Sequence, residues 1–279
     1  GSRDDPLRVL ALDRNPPLEL WRLHAEDVSP TMWNDDWDGS PLVLGDLLLE
    51  GGENGQFHVV KLNRRIGHDG KVAVSPRLLF NTPAWDDQLL ADTGSPNVSI
   101  ESSVAVAGHV AYTANSGGLI EGWDLDAIAA GVRGEAVRTF RFWMGDDTDA
   151  SVVVDTDGTL YATAEYERSR PRADEVGQLA KLDPSRPDRP LVWSVPLRSG
   201  GMPSGAWATP ALWGPLVIVA TNAGELLAFD RASGEQRWAV QLVGPTWSSP
   251  VVVDDVLIQG DCAGVLHGFR LDPAAPTAA

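Results

Sequence analysis

One cysteine, Cys262, is all the thiol that the 279 residues contain. No intrachain disulfide can form, and thiol usage does not reveal a redox compartment. Positive charge is scarce as well: 22 Lys and Arg stand against 39 Asp and Glu, a formal net charge of -17. Nucleic acid is therefore excluded as a natural partner, because phosphate backbones are held by a basic face that releases counterions. Such a chain repels anionic surfaces and attracts cations. No apolar run approaches the roughly 18 residues that a membrane-spanning helix needs. Gly1-Ser2 reads as the scar of a removed tag, so the lack of a targeting segment excludes no compartment.

What is present is a repeat. Ala208 to Leu242 and Trp247 to Leu271 share one order: a Thr-Pro or Ser-Pro opening, three short apolar strands, and a Gly before the third, at Gly224 and Gly264. The first copy adds a fourth strand around Trp238. Several strands per period of about 40 residues, with a recurring Trp, predict the blades of an all-β propeller of four-stranded antiparallel sheets. Weaker copies run from Ser40 to Phe80, Ser103 to Phe142 and Ser151 to Val195. Asn63, Asp124, Asp183 and Asp230 end the third strands, where their side chains can close the following turn. Gly55, Gly117, Gly177, Gly224 and Gly264 suit a positive φ before those strands.

The two ends break the pattern. Leu7 to Asp13 and Leu18 to Leu23 read as third and fourth strands without a first and second. The last copy has three strands and then passes into Pro273 to Ala279, a flexible tail by composition. Sewing both ends into one composite blade closes a ring with no exposed edge, giving about five blades in a single domain over residues 1–279. Six to eight blades, or an excerpt of a larger ring, are the alternatives.

The order Ser-Pro or Thr-Pro, then Gly224-Glu-Leu-Leu-Ala-Phe-Asp230, then Gly234-Glu-Gln-Arg-Trp238 resembles the PQQ-like repeat of quinoprotein alcohol dehydrogenase-like propellers. The stretches Trp33 to Pro41, Phe140 to Ser151 and Gly260 to His267 are similar to a bacterial group of PQQ-like propeller proteins. The resemblance covers most of the chain and implies a fold. It does not choose a function, because that superfamily holds dehydrogenases, outer-membrane assembly scaffolds and sensor ectodomains. It also implies an extracytoplasmic location, periplasmic or at the cell surface.

The loops that join each fourth strand to the next first strand gather at one channel mouth in such a fold. They carry Trp33, Asp35, Asp36 and Trp37, then Trp85, Asp86 and Asp87, then Trp143, Trp207 and Trp247, with Glu101 at the start of a first strand. The expectation is an acidic, aromatic mouth that takes a small ligand, a cation or a protein partner. Each of these residues also has a structural reading, as a turn cap or as packing between blades. Asp146, Asp147 and Asp149 are the candidate ligands for Ca²⁺, which takes hard oxygen donors, although the spacing is not that of an EF-hand. Trp21, Trp123, Trp193 and Trp238 occupy repeating strand positions and are assigned to the core.

Catalysis has little support. The quinoprotein dehydrogenases that the repeat resembles hold PQQ between a Trp and a disulfide of adjacent cysteines, with Ca²⁺ and a general-base Asp; this chain has no cysteine pair, which argues against PQQ. The histidines His24, His58, His68, His109 and His267 are scattered, and His58 and His267 read as satisfied strand residues. Asp261 beside Cys262 argues against a reactive thiolate. The segment Glu165 to Glu175 lengthens one hairpin and reads as a solvated loop whose Arg and Glu pair locally. Its alternative is an arm across the acidic mouth, with Arg168, Arg170 and Arg172 on its aspartates. The reading as a whole is a non-catalytic binding or scaffold module, against a PQQ- and Ca²⁺-dependent dehydrogenase or a purely structural ring.

Overall fold

The computed structural model describes residues 5–32, 36–197, 204–273, 275 and 277–278. Apolar and β-branched runs bounded by glycine turns form short antiparallel strands. The first two strands, β1 (Leu7–Ala11) and β2 (Leu18–Leu23), make a hairpin sheet of their own. The first four-stranded sheet follows, in the order β3 (Leu42–Leu44), β4 (Leu47–Gly51), β5 (Gln56–Lys61) and β8 (Arg77–Pro83). A small hairpin, β6 (Arg65–Ile66) and β7 (Val72–Ala73), interrupts it, and α1 (Asp87–Thr93) follows it. The second sheet holds β9 (Ala105–Ala107), β10 (Val110–Ala114), β11 (Leu119–Asp124) and β12 (Arg138–Trp143), with α2 (Leu125–Ala129) between its last two strands.

The third sheet holds β13 (Val153–Val154), β14 (Leu160–Thr163), β16 (Leu179–Leu182) and β17 (Leu191–Val195). Between β14 and β16 lie β15 (Glu165–Tyr166) and α3 (Pro171–Val176), and β15 pairs with β18 (Ser204–Gly205). The fourth sheet runs β19 (Ala211–Trp213), β20 (Leu216–Ala220), β21 (Glu225–Asp230), β22 (Gln236–Gln241). The fifth runs β23 (Val251–Val253), β24 (Val256–Gly260), β25 (Leu266–Arg270), β26 (Thr277–Ala278). Among the described residues five four-stranded sheets form, in keeping with about five blades. The composite blade is not the arrangement found: β1 pairs with β2, and the fifth sheet takes its fourth strand from Thr277–Ala278, in the segment expected to be a flexible tail.

The chain divides into two compact units, Gly1–Gly117 with Glu121–Thr139, and Gly118–Ile120 with Phe140–Ala279. The boundary passes through β11 and β12. In the first unit Leu49, Phe57, Val59 and Phe80 of the first sheet share a buried cluster with Ala111 and Trp123 of the second. In the second unit the third sheet packs on the fourth through Tyr161, Leu179, Val217 and Phe229. The fourth packs on the fifth through Leu216, Ile218, Leu226, Leu257 and Phe269. Trp123 and Trp238 are buried, and Trp21 and Trp193 are half-buried against these cores, as their strand positions require.

The turn chemistry follows the sequence with two exceptions. Asp124, Asp183 and Asp230 each accept backbone N–H bonds from residues two or three positions on, at 2.9 to 3.0 Å. Asn63 instead takes a left-handed conformation and donates its Nδ2 to the Ser75 carbonyl at 2.8 Å. The positive φ before β11 falls on Gly118, at 85°, rather than on Gly117. There a Cβ would collide with the Asp146 carbonyl oxygen, so the position needs glycine for space as well as for φ.

Candidate functional site

In the first unit the segment after β2 is laced to the β4–β5 turn. Asn54 Nδ2 donates to the Ala25 carbonyl at 2.8 Å, Gln56 Nε2 to the Pro30 carbonyl, and Glu53 N to the Asp36 carbonyl at 3.2 Å. Trp37 lies over this turn beside Gly52, with its ring 5.2 Å from that of His58. Trp85 lies against Gly55, whose φ of 72° and lack of a side chain admit the indole. Two of the predicted mouth tryptophans therefore clamp one hairpin turn. Trp33 and Asp35 lie outside the described residues.

Asp38, Glu53 and Glu101 bring carboxylate oxygens within 4.8 Å of one another, a donor set of the hard-oxygen kind. Among the described residues this is the acidic group that meets at ligand distance, rather than Asp146, Asp147 and Asp149. Burial, with Asp38 and Glu101 nearby, pushes the Glu53 carboxyl up to about 7. Ser99 Oγ donates to Glu101 at 2.8 Å and holds it in place. Glu101 was legible as a loop acid. Glu53 was not, because nothing in a hairpin turn marks which remote carboxylate it will meet.

Asp86 is spent locally. It caps α1 by accepting from Leu89 N at 2.9 Å and receives Arg138 Nη1 at 2.9 Å. Arg138 also reaches Glu121 Oε1 at 2.9 Å. Asp87 is exposed in the first turn of α1 and, with Trp85, Asp86, Gln88, Glu135 and Arg138, lines an open cleft of about 470 Å³.

In the second unit the lengthened hairpin pairs locally as expected, Arg168 with Glu167 at 3.1 Å and Arg172 with Glu175 at 3.3 Å, but it also docks on the acidic loop. Arg168 donates Nη2 to Asp147 at 2.9 Å and its backbone N–H to Asp146 Oδ2 at 3.0 Å. Arg170 reaches the Gly145 carbonyl at 3.4 Å, and Arg172 reaches the Trp143 carbonyl at 3.2 Å. Gly145 has φ of 102°, and a Cβ there would run into the backbone of Arg172 and Ala173. The arm therefore lies directly on the acidic loop, with the guanidinium of Arg168 beside Asp147. Burial and Asp149 push the Asp147 carboxyl well above the usual range, against the pull of Arg168. Burial likewise raises Glu165 to about 8. Asn222 joins Glu165 to the aromatic part of the site: its Nδ2 lies 3.4 Å from Glu165 Oε2, and its Oδ1 accepts Trp207 N at 3.0 Å. Trp207 and Trp247 meet edge to face, 5.0 Å between centroids, and stay 37% and 55% exposed.

Of the two strand histidines, His267 is satisfied as expected, while His58 is only partly so: its Nε2 lies 3.3 Å from Asn54 Oδ1 and its Nδ1 is buried without a partner. His267 stacks on Phe269 and pairs with Asp261 at 2.8 Å, which holds that carboxyl down to about 2. His58 is fully buried, and burial lowers it to about 3, so its ring is neutral. Opposite it in the β4–β5 ladder stands Glu50, 1% exposed, with no hydrogen-bond partner on either oxygen and its carboxyl raised by burial to about 8.

Both groups give stability a pH dependence. Folded Glu50 keeps a proton that the unfolded chain releases above the ordinary carboxylate range, so stability falls as pH rises from that range through about 8. His58 acts on the other side: only the unfolded chain protonates it below its ordinary value, so acid also destabilises. Glu50→Gln removes the alkaline slope. Urea unfolding should give the variant a free energy at least about 1 kcal/mol above the parent's near about pH 8.5, and an equal one near about pH 5. A free energy unchanged on the alkaline side would show that Glu50 is not a buried acid.

Residues 175–269 match a family model described as the outer membrane protein assembly factor BamB. Among solved structures, BamB from Moraxella catarrhalis superposes with a TM-score of 0.62 at 13% identity, over 99% of this chain and 74% of that one. No curated protein sequence matches the chain. The fold is thus a β-propeller like that of BamB, the propeller that the repeats predicted.

Proposed function

We propose that the chain is a non-catalytic scaffold that binds a protein partner, in an assembly role outside the cytoplasm related to the one BamB is named for. The observation that carries this reading is the Trp207–Trp247 pair, two large aromatic side chains held edge to face and left partly exposed. Tryptophans of this kind dominate binding energy at protein interfaces. The Asn222 link sets the pair beside the buried Glu165. The match to BamB over residues 175–269 covers both tryptophans and supports the same class of role.

The test uses a photo-crosslinking amino acid at position 247 in producing cells, with position 157, in an exposed turn, as control. One discrete protein adduct is expected from 247 and none from 157. With that partner purified, Trp207→Ala with Trp247→Ala should weaken binding by tenfold or more, since hot-spot residues cost about 2 kcal/mol or more each. Equal labelling at both positions, or an affinity the double substitution does not change, would overturn the reading.

A further inference from the structure

Three segments of the first unit are tied to one another where their carboxylates meet. Glu53 N–H donates to the Asp36 carbonyl at 3.2 Å, Ile100 N–H to the Gly52 carbonyl at 3.0 Å, and Ser40 N–H to Ser103 Oγ at 2.8 Å. Asp38, Glu53 and Glu101 each lie within two residues of one of these ties, so the main chain sets where their side chains start. Their oxygens come within 4.8 Å of one another. Oxygens that share one Ca²⁺ at about 2.3–2.6 Å stand no more than about 5 Å apart, so the spacing is that of ligands to a common ion. The charged neighbours that bear most on Glu53 are Asp38, Glu101 and Asp36, and all are acids.

Crowded acids alone do not make a site. The second observation is Glu50, 1% exposed and without a hydrogen-bond partner on either oxygen. A Cβ built on Gly39 would stand 3.0 Å from Glu50 Oε1 and 2.8 Å from the Ser102 carbonyl oxygen. The carboxyl group therefore ends between the residue that follows Asp38 and the residue that follows Glu101. Either form of it leaves polar atoms unsatisfied there: the carboxylate lacks donors, and the acid lacks an acceptor for its proton. A cation beside it removes both deficits, because the ionised group then faces a counter-charge. Burial rises from the exposed Asp38 through the half-buried Glu53 and Glu101 to Glu50, a graded path from solvent to interior. Carboxylates from separate segments, with no nitrogen or sulfur donor among them, suit Ca²⁺, which takes about six to eight oxygens in flexible geometry, better than Mg²⁺, which demands a near-ideal octahedron.

We propose that Asp38, Glu53 and Glu101 hold a Ca²⁺ ion with Glu50 as its interior ligand. The ion fastens together the segment after β2, the β4–β5 turn and the approach to β9. The inference uses the first unit alone and is independent of the partner reading.

Chelator-treated protein titrated with Ca²⁺ in a calorimeter should bind one ion per chain. Its melting temperature should rise with Ca²⁺ concentration, since a ligand of the folded state stabilises by mass action. Mg²⁺ at equal concentration should give a smaller shift. Glu101→Gln and Glu50→Gln should each weaken Ca²⁺ binding by about tenfold or more, because the number of charged ligands sets affinity. Asp157→Asn, in an exposed turn, should leave it unchanged. Circular dichroism checks the fold of each variant, and Glu50→Gln separates binding from folding. Without Ca²⁺ that variant is at least as stable as the parent, by the pH argument above, so loss of its Ca²⁺ shift reports the site itself. No shift with Ca²⁺ at several millimolar overturns the proposal. A shift that survives Glu101→Gln or Glu50→Gln overturns it as well, as does an equal response to Mg²⁺.

Discussion

Arg138→Ala should cost about 3–5 kcal/mol of unfolding free energy, the range for removing one member of a buried ion pair. Arg138 Nη1 is 2.9 Å from both Asp86 Oδ2 and Glu121 Oε1, and the Glu121 side chain is 1% exposed. Removing the guanidinium leaves two carboxylates facing a site built around one positive charge. It also unties α1, because Asp86 serves the Arg138 pair and the helix cap together. Urea unfolding of the parent and variant reads the loss. Adding Glu121→Gln to the variant should recover part of it, since the amide needs no counter-charge. A loss below about 1 kcal/mol would place the cluster with surface ion pairs, which contribute little.

Trp123→Ala is expected to cost a similar amount, about 3–5 kcal/mol, by opening a cavity in the first unit. The indole is 2% exposed and stacks on Phe57 at 5.8 Å with planes 20° apart, and its Nε1 donates to Thr113 Oγ1 at 3.0 Å. Trp123→Phe keeps most of the apolar contact and loses the hydrogen bond, so it should cost nearer about 1 kcal/mol. Trp247→Ala, at an exposed position, should move stability by no more than about 0.5 kcal/mol. If alanine at 123 and at 247 cost alike, the division of the tryptophans into core and surface would be wrong.

That division was readable from the chain because it rests on local order. Trp123 stands where Leu182 and Phe229 stand in other copies, next to the Asp that closes the turn, and alternation along a strand sends that position inward. The same local signals located the five sheets and the turn residues Asp124, Asp183 and Asp230. They did not reveal α1 or the β6–β7 hairpin, which interrupt the repeat without altering its strands.

The loop acids were found as a class but not sorted. Asp86 and Asp147 look alike in sequence, each following another polar or aromatic residue in a loop between blades. Asp86 became a helix cap with an arginine partner from β12, and Asp147 became the anchor of an arm that starts at β15. The arm was read as solvated because its Arg and Glu alternate closely enough to pair among themselves. Its docking depends on Gly145, whose missing side chain lets the α3 backbone close on the acidic loop.

The sequence by itself determined the repeating strands of the blades and their order, the buried tryptophans and the acidity of the loops, because each follows from neighbours a few residues apart. Only the tertiary structure decided which charges meet. Asp38, Glu53 and Glu101 come from three separate segments, and Arg138 reaches Asp86 across 52 positions. Such encounters are set by how sheets stack and loops fold over them. A carboxylate's partner, and with it the choice between cap, ion pair and shared proton, is therefore a property of packing rather than of local pattern.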